Sequence, residues 1–316
     1  MIANKILSKA ASIIREGGLV AFPTETVYGL GANAFDPKAV AKIFEVKQRP
    51  RFDPIIVHIA NFEDVERLCS ELNEKARILI HKFWPGPLTL VLPKSDIVPD
   101  IVTAGLGNVA IRMPSHPVAL KLITMAKTPI AAPSANLFGC LSPTTAQHVK
   151  EQMGEEIGLI IDGGQCPVGV ESTVLSLVEK PTILRPGGLP VEEIEKVIGK
   201  VIISTRAQKP RSPGQLSHHY SPRTPLKIIK DKSFNIKKGV KAGLLAFKLS
   251  KNKIPFERIE ILSASGDLRE AACNLFLCLH RLDKASLDII YAEPVAEIGL
   301  GRAIMDRLRK AEGCAF

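Results

Sequence analysis

Aromatic residues are scarce. Trp, Tyr and Phe make up 5% of the 316 residues, with a single Trp. Single-stranded nucleic acid is commonly bound by stacking bases on exposed aromatic rings, so such a platform is not indicated. Long apolar runs are missing too. No stretch approaches the roughly 20 residues that a membrane-spanning helix needs. The N-terminus does not read as a signal peptide: Ile6, Leu7, Ala10, Ile13 and Ile14 fall at helical spacing, and Gly17-Gly18 stops that helix. The six cysteines are scattered and none form a Cys-x-x-Cys pair; Cys273 and Cys278 fall on a helical pattern as core thiols. The expectation is a reducing cytoplasm and no membrane.

Familiar catalytic signatures are absent as well. There is no Gly-x-x-x-x-Gly-Lys-[Ser/Thr] loop, no His-Glu-x-x-His and no Gly-x-Ser-x-Gly. Gly299-Leu300-Gly301 has no third glycine at dinucleotide spacing. His218-His219 are adjacent but lack a ligand set, so no metal held by protein side chains is expected.

What is present is an ordinary globular composition, 46% hydrophobic and 23% charged, on a chain long enough for two domains. The net charge of +10 is unevenly spread. Residues 1–203 hold 21 basic and 21 acidic residues, whereas residues 204–316 hold 21 basic and 11 acidic. A basic last third can attract nucleic acid or another polyanion; for Lys230 to Lys253 a solvated lysine-rich surface is the preferred reading. Residues 204–225 carry four prolines, four cations and no acid, and read as a linker between a domain over 1–203 and a smaller one over 226–316.

In the first domain, apolar runs at Val20–Phe22, Ile55–Ile59, Leu88–Leu92, Val109–Met113, Ile130–Ala132, Leu159–Ile161, Thr173–Val178 and Ile183–Leu184 predict strands. Asp36-Pro37 and Ser142-Pro143 both predict helix starts, with a capping side chain and proline in the first turn. Strands without room for a helix between them predict a mixed parallel and antiparallel sheet. In the second domain, runs at Leu226–Ile229, Ala242–Phe247, Ile259–Leu262 and Asp288–Tyr291, with helices at 267–283 and 301–310, predict a small α/β unit with a parallel sheet.

Polar residues gather at strand ends. The loop Pro23-Thr24-Glu25-Thr26-Val27-Tyr28-Gly29-Leu30-Gly31 follows a buried strand. Lys47 and Arg49 sit two apart after a helix; in extended chain both point one way, toward an anion such as phosphate, or else they form a solvated helix end. Ser134 and Asn136 share the same spacing and fit either a phosphate oxygen or an ordinary turn. Arg112, leaving a strand, fits a bidentate carboxylate or a structural salt bridge. His58 lies in an apolar strand, Glu171-Ser172-Thr173 opens one, and Arg185 ends one. An inventory of cations, hydroxyls and amides suits phosphoryl or nucleotidyl chemistry, where positioning and charge neutralisation carry most of the catalysis.

Phe22-Pro-Thr-Glu-Thr-Val-Tyr-Gly-Leu-Gly31, Lys47-x-Arg49, Arg112-Met-Pro, Ala132-Pro-Ser-Ala-Asn136 and Gly169-Val-Glu-Ser-Thr173 occur together and in order. This set resembles the YrdC-type threonylcarbamoyl-AMP synthases. Pro213-Gly-Gln-Leu-Ser-His-His-Tyr-Ser-Pro222 resembles the linker of their long, two-domain form. The resemblance implies a twisted mixed sheet whose concave face holds the substrates, with a small Rossmann-like domain attached. It implies that ATP, L-threonine and bicarbonate give threonylcarbamoyl-AMP and pyrophosphate, with magnesium on the ATP phosphates. Downstream transferase proteins then modify an adenosine next to the tRNA anticodon. By the same resemblance Thr26, His58, Arg112, Ala132 and Ser172 contact L-threonine. Lys47, Arg49, Asp53, Asn108, Ser134, Asn136, Ser142, Arg185 and Tyr220 contact ATP, with Lys47 and Arg49 as the catalytic cations. Position 53 is Asp where the family often has Asn, and a carboxylate there repels a triphosphate unless magnesium or Arg51 offsets it. Two other readings are an RNA-binding module without adenylate-forming activity and a carbamoyl-phosphate-dependent adenylating enzyme. The latter expects acylphosphatase-like and zinc-finger segments that this chain lacks.

Overall fold

In the computed structural model, residues 4–50, 52–154, 156–204, 220–230, 235–249 and 255–312 are described. Arg51, His218, His219, most of the proline-rich linker and parts of the lysine-rich stretch 230–253 lie outside them. The chain runs α1 (Asn4–Arg15), β1 (Val20–Phe22), β2 (Gly29–Asn33), α2 (Pro37–Lys47), β3 (Ile56–His58), α3 (Glu63–Leu68), α4 (Glu74–Phe83), β4 (Leu88–Pro93) and α5 (Asp100–Thr103). It continues through β5 (Asn108–Arg112), α6 (Pro117–Ala126), β6 (Ile130–Ala131), α7 (Ala146–Met153), β7 (Leu159–Ile160), β8 (Thr173–Ser176), β9 (Thr182–Arg185), α8 (Val191–Ile198) and β10 (Ile202–Ile203). The last part holds β11 (Leu226–Ile228), β12 (Ala242–Ala246), β13 (Arg258–Ile261), α9 (Leu268–Asp283), β14 (Ile289–Ala292) and α10 (Gly301–Glu312).

Local chemistry accounts for several boundaries. Asp36 accepts hydrogen bonds from the Lys38 and Ala39 amides, and Asp267 from those of Arg269 and Glu270, so both carboxylates satisfy otherwise orphaned helix amides. The Ser142-Pro143 expectation fails. Helix α7 starts at Ala146, capped by Thr145, whose hydroxyl takes the His148 amide. The reason is tertiary: the Ser142 side chain is buried and bonded to Glu171 instead. The predicted loop also ends early. Gly29 to Asn33 form β2, antiparallel to β1, and Gly31 lies where a Cβ would come within 2.7 Å of both Phe22 and Ile130.

Ten strands form one sheet in the order β10-β9-β8-β4-β5-β3-β6-β2-β1-β7, with parallel pairs such as β3·β5 and β4·β8 beside antiparallel ones such as β4·β5 and β2·β6. The predicted mixed sheet is therefore present. A second sheet, β11-β14-β12-β13, is parallel throughout, as predicted. The apolar core around α9 and α10 does not stop at the small sheet; it takes in Val27, Leu141, Val170 and Tyr220. Gly169 makes this contact possible. It has φ +75°, and a Cβ there would meet the Cys273 Cα at 2.4 Å and the Ala272 carbonyl at 2.5 Å.

Candidate active site

The parallel register of β3 and β5 sets His58 directly beside Arg112 at the ends of the two strands. Arg112 donates from Nη1 to Thr26 Oγ1 at 2.9 Å and from Nε to the Gly86 carbonyl at 3.2 Å. The Thr24 and Thr26 hydroxyls are 2.9 Å apart, and Thr24 donates to the Val27 carbonyl at 2.7 Å. Thr26 must then donate to Thr24 and accept from Arg112, which gives the loop one directed chain of hydrogen bonds. Arg112 Nη2 stands 2.6 Å from Glu25 Oε1, an ion pair without hydrogen-bond alignment. Burial, followed by the nearby Arg112 charge, pushes the His58 pKa down to about 3, so the imidazole is neutral at pH 7.

On the other side of the cleft, Arg49 donates to the Asp53 and Pro54 carbonyls at 3.2 and 2.8 Å, and its Nη2 lies 2.8 Å from Asp53 Oδ2. Asp53 is thus neutralised by Arg49. Burial raises its pKa, and Arg49 opposes that rise. Lys47 is also buried, with its ammonium donating to the carbonyls of Ser134 (2.5 Å) and Asn136. Burial first, then repulsion from Arg49, holds its pKa well below the usual lysine range. Gln48 caps α2 with φ 52°, so the expected extended alternation of Lys47 and Arg49 does not occur. The cations diverge: Arg49 faces the cleft, and Lys47 braces the Pro133–Asn136 loop from behind.

Ser172 lines the same cleft. Its hydroxyl is 2.7 Å from Thr89 Oγ1 and accepts from Arg185 Nη2 at 3.3 Å; Arg185 also donates to the Ser172 carbonyl at 2.9 Å. Gly187 permits this closeness, since a Cβ there would meet the Glu171 carbonyl at 2.3 Å. Glu171 accepts from the Ser142 hydroxyl and, at 2.8 Å, from Nε of Arg307 on α10.

Of the predicted residues, Thr26, His58, Arg112, Ala132, Ser172, Arg49, Ser134, Arg185 and Tyr220 line one cleft. Lys47, Asp53, Asn136 and Ser142 are not part of its lining; all four are buried. Asn108 is not brought to it. It opens β5 at the end opposite Arg112, roughly 13 Å away along the strand. Sequence reasoning missed Thr24 and Glu171 in the lining, and Glu25 and Arg307 as partners of the lining residues. Thr24 and Glu25 flank Thr26 in the same motif. Glu171 looked like a strand start, and Arg307 has no local signal.

The fold and the site together define an α/β protein with a hydroxyl-lined, arginine-rich cleft suited to small anionic ligands. Two family models match the chain. Sua5_yciO_yrdC, described as telomere recombination, covers residues 12–187, and Sua5_C, described as the threonylcarbamoyl-AMP synthase C-terminal domain, covers 189–313. The chain belongs to the Sua5/YciO/YrdC family. A threonylcarbamoyl-AMP synthase of Pyrococcus abyssi is 48% identical over 96% of this chain and 93% of its own length. One of Bacillus subtilis is 44% identical over 97% and 93%. The crystal structure of P. abyssi Sua5 complexed with L-threonine superposes with a TM-score of 0.91 and 46% identity, covering 97% of this chain and 94% of that one.

Proposed function

We propose that this chain is a threonylcarbamoyl-AMP synthase, an adenylyl-transferring enzyme that makes L-threonylcarbamoyl-AMP from L-threonine, bicarbonate and ATP for tRNA modification. The observation that carries this reading is that Arg112, Arg49, Arg185 and Ser172 line a single cleft, with Thr26 bonded to Arg112 and Ser172 to Arg185. Arg112, with Thr26, His58 and Ser172 around it, suits the threonine carboxylate and amine. Arg49, Arg185, Ser134 and Tyr220 suit the nucleotide and its phosphates.

The threonine amine captures bicarbonate-derived carbon dioxide as a carbamate. A carbamate oxygen then bonds to the α-phosphorus as the bond to the β-phosphate oxygen breaks, and pyrophosphate leaves. Arg49 and Arg185 neutralise charge developing on the phosphates; Lys47 supports Arg49's side of the cleft by holding the Ser134 loop. Magnesium would be held by phosphate oxygens and water. The carboxylates around the cleft, Glu25, Asp53 and Glu171, are already ion-paired with Arg112, Arg49 and Arg307, and among the described residues no cluster of three or more His, Cys, Asp or Glu could hold a metal ion. Among the described residues no helix is long and apolar enough to cross a membrane, and a cytoplasmic setting is part of the proposal.

Delivery to downstream transferase proteins, and tRNA contact by the basic last third, also belong to the proposal. Arg258, Arg281, Lys284, Arg302, Arg307, Arg309 and Lys310 are ion-paired within the chain, so tRNA contact would fall to other cations. The test is pyrophosphate release from ATP. It is expected to require both threonine and bicarbonate, and Arg49→Ala should lower it about 10²–10³-fold. Release that ignores either co-substrate would sink the reading.

A further inference from the structure

Helix α10 belongs to the small sheet, yet one of its side chains is rooted in the main sheet's cleft. Arg307 has no exposed side-chain surface. Its Nε donates to Glu171 at 2.8 Å, and Nη1 donates to the Pro186 carbonyl at 2.9 Å and to Asp306 at 2.5 Å. Its guanidinium carbon lies 4.8 Å from the centroid of the Tyr220 ring, and the Phe276 ring of α9 and the Lys310 ammonium lie 5.8 and 5.9 Å from it. Tyr220 is buried at φ 64°, a left-handed conformation that a bulky residue holds only when its surroundings enforce it. Those surroundings include Phe276 of α9 and Arg307 and Lys310 of α10. Glu171 and Tyr220 both line the cleft, whereas Arg307 does not.

We propose that Arg307 is a positioning residue for the nucleotide side of the cleft, and that the small sheet serves the reaction by fixing Glu171 and Tyr220 through it. The proposal rests on the reading that this side receives ATP. The geometry favours positioning over direct contact, because Arg307 does not line the cleft, whereas Glu171 and Tyr220, which it holds through Nε and its guanidinium face, do. Burial alone would lower the Arg307 pKa, but Tyr220, Glu171 and Asp306 together hold it above the ordinary arginine value, so the cation persists in its buried place. Glu171 remains a carboxylate for the same reason: burial is outweighed by Arg307, Arg185 and Ser142.

The experiment uses the full chain with three variants: Arg307→Lys, Arg307→Met, and the double variant Arg307→Met/Glu171→Gln. The double variant leaves no buried carboxylate unpaired and keeps the test valid if the single Met variant unfolds. Two readouts are taken on folded protein. The first is the KM for ATP against the KM for threonine in pyrophosphate release. The second is amide hydrogen exchange at Ser221 and Thr224, whose amides bond to the Gly139 carbonyl and the Asp283 carboxylate. The expected result is a KM for ATP raised about tenfold, with the threonine value held within about twofold, and the Lys variant between wild type and Met. Exchange at the two amides should quicken. A merely structural role would lower kcat with the folded fraction and leave both KM values unmoved. Wild-type ATP KM and exchange in the folded double variant would overturn the proposal. Failure of the wild-type chain to bind ATP would instead overturn the functional reading, and the nucleotide role of Arg307 with it; the exchange readout would still report whether Arg307 holds Tyr220.

Discussion

Two buried arginines, Arg112 in the lining of the cleft and Arg307 behind it, are held in different ways. Arg112 leaves a strand inside the ten-stranded sheet, and its neighbours are set by strand register and by the loop after β1. Arg307 comes from a helix of the small sheet and reaches Glu171 only because that sheet docks on the first one. Each pairs with a carboxylate that is nearly inaccessible to water. Breaking either pair leaves an uncompensated buried charge, which costs far more than an exposed ion pair is worth. The difference lies in what else fails. Losing Arg112 disturbs groups held by the sheet itself. Losing Arg307 loosens a contact between two sheets, which can give way while each keeps its own strands. A cleft can therefore combine one side that is as rigid as the core with another that depends on docking.

The comparison can be broken most directly at Arg112. Arg112→Met should lower threonine-dependent turnover about 10²–10³-fold and destabilise the fold by about 3–5 kcal/mol. Adding Glu25→Gln should restore most of the stability and none of the turnover, as measured by denaturant unfolding alongside pyrophosphate release. Recovery of turnover in the double variant would make Arg112 purely structural. The docking side is sharpened at Gly169, where a methyl group meets the α9 backbone and the φ is left-handed. Gly169→Ala should cost about 2–4 kcal/mol and raise the KM for ATP in the same direction as the Arg307 variants. Unchanged unfolding midpoints would show that the two sheets do not dock through this loop.

The smallest effect is one of pH. The His58 pKa is depressed to about 3 in the folded chain, so between that value and the ordinary histidine range the unfolded state binds the extra proton. Stability is complete above about pH 6.5 and falls as pH drops toward 3. Between pH 7 and 5 the His58 share of that loss should be about 1–2 kcal/mol, and His58→Gln should flatten this part of the profile. His148 is likewise held to about 3, by burial and then by the stacked His280 across the sheet contact. A His148→Gln variant therefore separates the docking contribution from the core one. An unaltered profile in both variants would rule out the histidines as its source.

Much of the fold was legible because the signals are local. Asp36-Pro37 and the Asp267 cap start helices where a side chain two or three residues away satisfies the backbone, and apolar runs mark nearly every strand longer than three residues. Strand β2 escaped because Gly29 and Gly31 look like turn residues; their small size is needed for packing against Phe22 and Ile130, which no local pattern records. The site was legible to the extent that its residues sit inside short motifs. Asn108, assigned by resemblance, opens β5 at the end opposite Arg112 and lies outside the cleft lining. Lys47 and Arg49 were expected to point the same way, but the left-handed Gln48 sends them to different partners.

By itself, then, the sequence determined the alternation of helices and strands, the mixed and parallel characters of the two sheets, and most of the polar groups that line the cleft. The elements and the sheet types depend on propensities and periodicities within a few residues; the polar groups were legible through short motifs that resemble a known family. Tertiary structure alone decided the electrostatics. Glu25 meets Arg112 across 87 residues, and Glu171 meets Arg307 across 136. A buried charge is stable only beside its partner, and which residues become partners depends on strand register and on the docking of one sheet against another.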